Sequence, residues 1–337
     1  GEAGRPNHES VGVDLVLDLG AEPLLDRPLP PAGYVHSVTG EAQLDEAIET
    51  LAGLKGTFEK PTYFDYDASI CAHGRSGIQS CTRCIDTCPA GAIISLAESI
   101  EVDPYLCQGG GVCTTVCPSG AIRYAYPKPA DSLSRLRTLL QVYRQQGGER
   151  PIVAFAAEED AGLLDGLPGN FLPFMVEELA SVGLEIWLAA LAYGADSLVL
   201  VDNGRQPEAV LKALESQVNT AGEILEALGY GSDAVRLVSQ EALQTPALRP
   251  MPAIHPAGFS GMGGKRQTAF MAIDHLFEQS LNPKPLASLT VGAPFGTAFV
   301  ESTACTLCFS CVGACPGKAL QTGEGEPRLE FIEANCI

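Results

Sequence analysis

"CTLCFSCVGACP", residues 305–316, places Cys305, Cys308, Cys311 and Cys315 in the pattern C-x2-C-x2-C-x3-C-P. Three thiols at three-residue intervals on a tight loop can wrap one corner of a polynuclear centre. The fourth, just ahead of Pro316, points away toward a second centre of a pair. A zinc site would bring two separated C-x2-C knuckles onto one tetrahedral ion instead. The spacing predicts iron–sulfur clusters.

Working outward, the pattern recurs. "CPAGAI" (88–93), "CPSGAI" (117–122) and "CPGKAL" (315–320) share Cys-Pro followed by a small residue and an aliphatic one. Short β-like runs accompany them: "SIEVDPYLC" before Cys107, "GTAFVESTAC" before Cys305 and "RLEFIEANC" before Cys336. Copies of this kind mark a repeated unit. Eighteen residues separate Cys88 from Cys107 and 20 separate Cys315 from Cys336. Cys336 is therefore placed to open a fourth motif, and the chain is expected to be a piece of a longer polypeptide. It begins with Gly and ends one residue after Cys336.

The first pair of motifs departs from the rule twice. "CTRCIDTCP" supplies Cys81, Cys84 and Cys88, but Ile78 stands where a cysteine is due. Cys71, on the Gly- and Ser-containing stretch "CAHGRSGIQSC", is the expected substitute, because such a loop can bend back. His73 could replace it or tune the centre, though a surface position is expected, and Arg75 is expected to be solvated or paired. In "YLCQGGGVCTTVCPSGAIRYAYP" (105–127), Cys107, Cys113 and Cys117 are in register and Gly110 holds the second ligand place. Crossing the fourth ligands predicts one four-iron site from Cys71, Cys81, Cys84 and Cys117. Its neighbour takes Cys88, Cys107 and Cys113. Three thiolates suit a [3Fe–4S] cluster, or a [4Fe–4S] cluster with water or an external ligand on one iron; an empty site is the third option. The later group predicts a third cluster on Cys305, Cys308 and Cys311, with its fourth ligand beyond the chain. Cys315 and Cys336 belong to an incomplete fourth.

Composition limits the alternatives. With 337 residues, 46% hydrophobic, the chain can fill two or three domains. Its 12 cysteines lie in tight groups, with none at 1–70 or 118–304, which argues against a secreted disulfide scaffold. A formal net charge of −20 makes nucleic acid a poor partner. No apolar run approaches the roughly 20 residues needed to span a bilayer, and no signal-peptide core is visible.

Between the cysteine groups the pattern changes. A helix is expected over 131–148, with Leu133, Leu136, Leu140 and Tyr143 on one face, Asp131 as its cap and Gly147-Gly148 as its stop. Strands are expected at 151–160, 195–204 and 234–239, and helices at 174–194 and 206–230. Alternation of this kind predicts a parallel sheet covered on both faces, of Rossmann or flavodoxin type. Glu158, Glu159, Asp160, Asp202, Asn203 and Gly204 would sit at the carboxyl ends of its strands as solvated loops. No G-x-G-x-x-G follows a strand. "GMGGKRQ" (261–267) has the look of a phosphate loop, but Arg266 stands where Ser or Thr should follow Lys265. Trp187 and His255 are read as structural.

Four stretches carry a resemblance: "FEKPTYFDYDASICAHGRSGIQSCTRCIDTCPAGAI", "VCPSGAIRYAYP", "SVGLEIWLAALAYGADSLVLVDNG" and "GAPFGTAFVESTACTLCFSCVGACPGKAL". On these the chain resembles the polyferredoxin-type 4Fe-4S binding proteins of proteobacteria. Residues 150–245 are similar to the delta subunit of methyl-viologen-reducing hydrogenases, without the cysteines that family carries after its strands. The resemblance implies cytoplasmic electron transfer between redox partner proteins and a link to a formate dehydrogenase system. The implied layout is α/β with ferredoxin-like (α+β) modules. Residues 1–60 form an N-terminal segment, 61–130 a dicluster module, 131–250 the hydrogenase-delta-like domain, 251–295 a linker and helix, and 296–337 the first half of a second module. The function expected is single-electron relay and not catalysis. The alternatives are a cluster-containing docking or maturation factor for a larger dehydrogenase, and an enzyme using an open iron near Gly110.

Overall fold

The computed structural model describes residues 12–36, 41–57, 59–74, 80–244, 251–261, 263–315 and 317–336. Arg75, Ile78 and Pro316, named above, lie outside them. The chain divides into two compact units, residues 1–60 and 61–337. In the first, β1 (Val16–Asp18) and β2 (Tyr34–His36) pair in parallel, and helix α1 runs over Glu41–Gly53. The Asp18 carboxylate accepts from the Gly20 and Leu24 N–H groups and the Tyr34 hydroxyl, which closes the turn between the strands.

The second unit opens with a small cysteine module. It runs β3 (Phe64–Tyr66), α2 (Arg83–Thr87), β4 (Ile93–Ser95), β5 (Ile100–Val102), α3 (Val112–Val116) and β6 (Ile122–Tyr124). β3 pairs antiparallel with β6, and β4 with β5. Each five-residue helix ends at the cysteine of a Cys-Pro pair, Cys88 or Cys117, because the residue before proline is driven to extended backbone.

α4 (Pro129–Gln145) follows, with Leu133, Leu136 and Leu140 buried. Pro129 occupies the first turn, where its missing N–H costs nothing. Asp131 is therefore not the cap expected of it; Lys128 holds that place. β7 (Ile152–Ala157), β8 (Phe171–Val176), β9 (Ser197–Asp202) and β10 (Val235–Ser239) form one parallel sheet in the order β10-β9-β7-β8. α5 (Leu184–Ala192) joins β8 to β9, and α6 (Glu208–Ala227) joins β9 to β10.

Two expectations need correction here. Residues 174–176 are strand, and only the later part of 174–194 is helix. Leu172, Phe174 and Val176 point to one core in a period of two, and Pro173 is tolerated because β8 is an edge strand. The sheet is also covered unequally. One face, with Val153, Phe155, Leu198 and Leu200, packs under α4, α5 and α6. The other, with Ala154, Ala156, Val199 and Val201, is closed by 3-10 turns at Glu158–Leu164 and Glu241–Gln244. Small side chains there leave room for a thin cover.

All nine residues of α5 are buried, because α7 (Lys265–Gln279) packs over it. Val112 and Val116 of α3 enter this same core, so the cysteine module and the sheet share one interior. The last segment carries α8 (Ser310–Ala314), β11 (Leu320–Thr322) and β12 (Leu329–Phe331), the strands pairing antiparallel. The β-like run "GTAFV" is not a strand: Phe299 is 88% exposed. Among the described residues, no helix is long and apolar enough to cross a membrane.

Candidate metal centre

Three separate segments deliver thiols to one place. After β3, Asp67 caps a 3-10 turn, accepting from the Ser69 N–H at 2.9 Å, and the turn hands the chain to Cys71. Cys81 and Cys84 come from the start of α2, and Cys117 from the end of α3. These four cysteines line a single narrow cavity of about 20 Å³, walled by Tyr66, Ile100, Ala121 and Ile122. Cys71 and Cys117 are buried.

Burial and mutual repulsion act on these thiols together. Burial pushes the Cys84 thiol up to about 12, and the charges of Cys117, Cys81 and Cys71 push the same way. Cys81 is raised by burial, with Cys117 and Cys71 adding to it. Cys113 is raised too, first by burial and then by Cys88 and Cys107. Thiols so placed cannot all ionise without a cation among them. Cys84 and Cys117 also act on Cys113, so the thiols of the two expected sets lie close enough to influence one another. Among the described residues no three His, Cys, Asp or Glu side chains are grouped to hold a single metal ion.

Gly110 resolves at the level of backbone. In the later motif, Leu307 and Phe309 adopt left-handed conformations with φ of 54° and 58°, on either side of Cys308. Gly109 and Gly111 do the same at 78° and 73°, on either side of Gly110. The backbone around Gly110 thus takes the same alternation as that around Cys308. A Cβ on Gly111 would meet Ser181 at 2.6 Å, and one on Gly109 would meet the Tyr63 ring at 2.7 Å. A Cβ on Gly110 would meet nothing within 4 Å.

The repeat extends to hydrogen bonds. The Ala92 N–H donates to Cys88 Sγ at 3.4 Å, and the Ala319 N–H to Cys315 Sγ at 3.3 Å. The Asp103 N–H reaches the Ala92 carbonyl, as the Ile332 N–H reaches that of Ala319. The two extra residues between Cys315 and Cys336 are taken up in the turn between β11 and β12. In the later motif, however, Cys305, Cys308 and Cys311 are exposed, while Cys315 and Cys336 are half-buried. Hydrogen bonding with Ser310 and Thr306 lowers the Cys308 thiol.

His73 is not on the surface: it is 1% exposed. Its Nδ1–H donates to the Cys81 carbonyl at 2.7 Å, which leaves Nε2 to accept from Ser95 Oγ at 2.7 Å. It ties Cys81 to Ser95. Sequence reasoning missed Tyr66, whose hydroxyl bonds the Cys71 thiol and accepts from the Ile100 N–H. Its only signal was the β-like alternation ahead of Cys71.

The strand-end residues do converge, but as a closed network. Asp160 accepts from Asn203 Nδ2 at 2.7 Å and from Arg205 at 2.8 Å, and Arg205 also pairs with Glu159 at 2.7 Å. These acids are joined to one another's loops rather than singly solvated. Trp187 is wholly buried and His255 is exposed.

The comparisons agree with the geometry of the first module. Residues 100–123 match the 4Fe-4S binding domain family. That match spans Cys107, Gly110, Cys113 and Cys117. The chain therefore carries an iron–sulfur domain, which indicates iron–sulfur electron transfer in general. No curated protein and no solved structure matches the chain significantly.

Proposed function

We propose that this chain relays single electrons between redox partner proteins through clusters held in two cysteine modules. The observation that carries the proposal is the cavity lined by Cys71, Cys81, Cys84 and Cys117. Four thiols from three segments with apolar walls are a donor set for a [4Fe–4S] cluster, which supplies one-electron chemistry when bound. Cys88, Cys107 and Cys113 would hold a three-iron cluster or an open four-iron one. Cys305, Cys308 and Cys311 would serve a third, and Cys315 and Cys336 a fourth.

The surrounding residues act on potential and access. The Ala92 and Ala319 N–H groups stabilise added negative charge on the sulfurs of Cys88 and Cys315, which favours the reduced state. The buried position of Cys117 excludes water, whereas exposure of Cys305, Cys308 and Cys311 offers a partner close approach. A cytoplasmic location and a formate dehydrogenase partner rest on the polyferredoxin resemblance. The open space at Gly110 supports a second reading, in which an exchangeable ligand binds an iron there.

Electron paramagnetic resonance (EPR) on the anaerobically purified protein tests both. The relay with a three-iron site is expected to give a near-isotropic signal when oxidised. Gly110→Cys should abolish it and add about one iron per chain. Silence when oxidised, together with a small-molecule-dependent change in the reduced spectrum, would favour the open-iron reading. A chain that takes up no iron and sulfide would overturn both.

A further inference from the structure

The Cys-Pro turn occurs three times, and each copy carries an alanine four places after its cysteine. In two copies the alanine N–H donates to the cysteine itself: Ala92 to Cys88 Sγ at 3.4 Å and Ala319 to Cys315 Sγ at 3.3 Å. The copy at Cys117 differs. There the Ala121 N–H donates to Ser119 Oγ at 3.2 Å, and Ser119 Oγ lies 3.7 Å from Cys117 Sγ. A hydroxyl stands between backbone and sulfur. Ala90 and Gly317 occupy the matching places in the other two copies, and neither offers a hydroxyl.

Cys71 meets the same arrangement from another element. Tyr66 on β3 turns its hydroxyl to the Cys71 thiol, and that hydroxyl accepts from the Ile100 N–H of β5 at 3.2 Å. An N–H can only donate, so on both oxygens it occupies a lone pair and leaves the O–H proton for another acceptor. For both hydroxyls that acceptor is a cysteine sulfur. A cysteine bound to iron has lost its proton and can only accept. Tyr66 and Ser119 line the same cavity as the four thiols, and Ser119 is buried.

We propose that Tyr66 and Ser119 are positioning residues that donate O–H···S hydrogen bonds to Cys71 and Cys117 and raise the potential of the centre those cysteines share. The proposal rests on the relay reading, and it concerns only the set whose four thiols, Cys71, Cys81, Cys84 and Cys117, all lie in this chain. Reduction there adds one electron from an external one-electron reductant. No covalent bond is made or broken, and each proton stays on its oxygen. A hydrogen bond strengthens as its acceptor becomes more negative, so both donors favour the reduced state. At Cys117 the donor is a side chain, so the potential can be altered there without rebuilding the turn.

The test is an EPR-monitored redox titration of the full chain, loaded anaerobically with iron and sulfide. Cys107→Ser and Cys311→Ser in the background leave one set of four thiols. Tyr66→Phe removes a donor with nothing to replace it and should lower the midpoint potential at unchanged iron and sulfide content. Ser119→Ala should lower it less, because the Ala121 N–H is then free to donate to Cys117 as its counterparts do. Ser119→Thr, which keeps the hydroxyl, should restore the parent value. Proton electron–nuclear double resonance on the reduced centre gives a readout that a merely structural role leaves in place: one exchangeable coupling should vanish in Tyr66→Phe. Should Tyr66→Phe fail to take up iron, the two Ser119 variants carry the test by the same readouts. Should the background itself fail to load, the variants are compared in the unsubstituted chain on the signal that Cys117→Ser removes. Potentials and couplings unchanged in Tyr66→Phe and Ser119→Ala overturn the proposal and leave the relay standing. Failure of the unsubstituted protein to take up iron and sulfide overturns both.

Discussion

Cys117 and Cys315 each end a five-residue helix and each precede a proline, and Gly120 and Lys318, three residues on, are both left-handed. Around Cys117 stand Cys71, Cys81, Cys84 and a wall from β5 and β6, and its exposure is 8%. Around Cys315 the other thiols of its motif are open to solvent. The two modules thus share ligand loops and hairpins and differ in what covers them. Short motifs dictate backbone, because left-handed turns and Cys-Pro breaks act within a few residues. Burial has to come from elsewhere in the chain: for the first module from β3, the Cys71 loop and the sheet domain.

Removing one ligand on each side tests that contrast most strongly. Cys117→Ser is expected to lose about four irons per chain and to lower the thermal midpoint of the first module, since its thiol completes a buried set. Cys311→Ser should lose iron from the second module while the first-module transition stays in place. Iron analysis with thermal melting followed by circular dichroism checks both, and a Cys311→Ser protein in which the first module also melts early would break the comparison.

His73→Ala sharpens it at the next level. The first module needs a long loop to bring Cys71 to its cavity, whereas Cys305 and Cys308 need none. Losing two buried hydrogen bonds and the ring is expected to cost about 2–4 kcal/mol in denaturant unfolding. A cost near zero would show that the loop holds Cys81 without the imidazole.

The smallest effect concerns Glu178, beside the first module at the end of β8. Burial first, then Glu159 and Glu177, raise its carboxyl from 4.5 to about 7, against the lowering pull of Arg205. The folded state keeps this proton to higher pH than the unfolded state does. Its stabilisation is therefore present below about 4.5 and lost as pH rises through about 7. Unfolding free energies from urea titrations should be higher at about pH 5 than at about pH 8 by on the order of 1 kcal/mol in the wild type, discounted for partial exposure. Glu178→Gln should flatten the difference, and a wild-type profile already flat would contradict the assigned burial.

Legibility followed the range of the interactions. The helices expected over 131–148 and 206–230 rest on local pattern, and helices stand in the structure at Pro129–Gln145 and Glu208–Ala227. The region 174–183 misled because Glu177, Glu178, Leu179 and Ala180 suit a helix, while the strand before them is decided by pairing with β7. His73 looked like a surface residue because nothing nearby in sequence announces Ser95 as its partner.

By itself the sequence determined the thiol spacing and the alternation of strands and helices, since both are set by side-chain pattern within a turn or two. Tertiary structure alone decided that Cys71 shares a cavity with Cys117 and that His73 and Tyr66 brace it. Those outcomes depend on which apolar faces meet. The shared core of α3, α5 and α7 brings together residues more than a hundred positions apart.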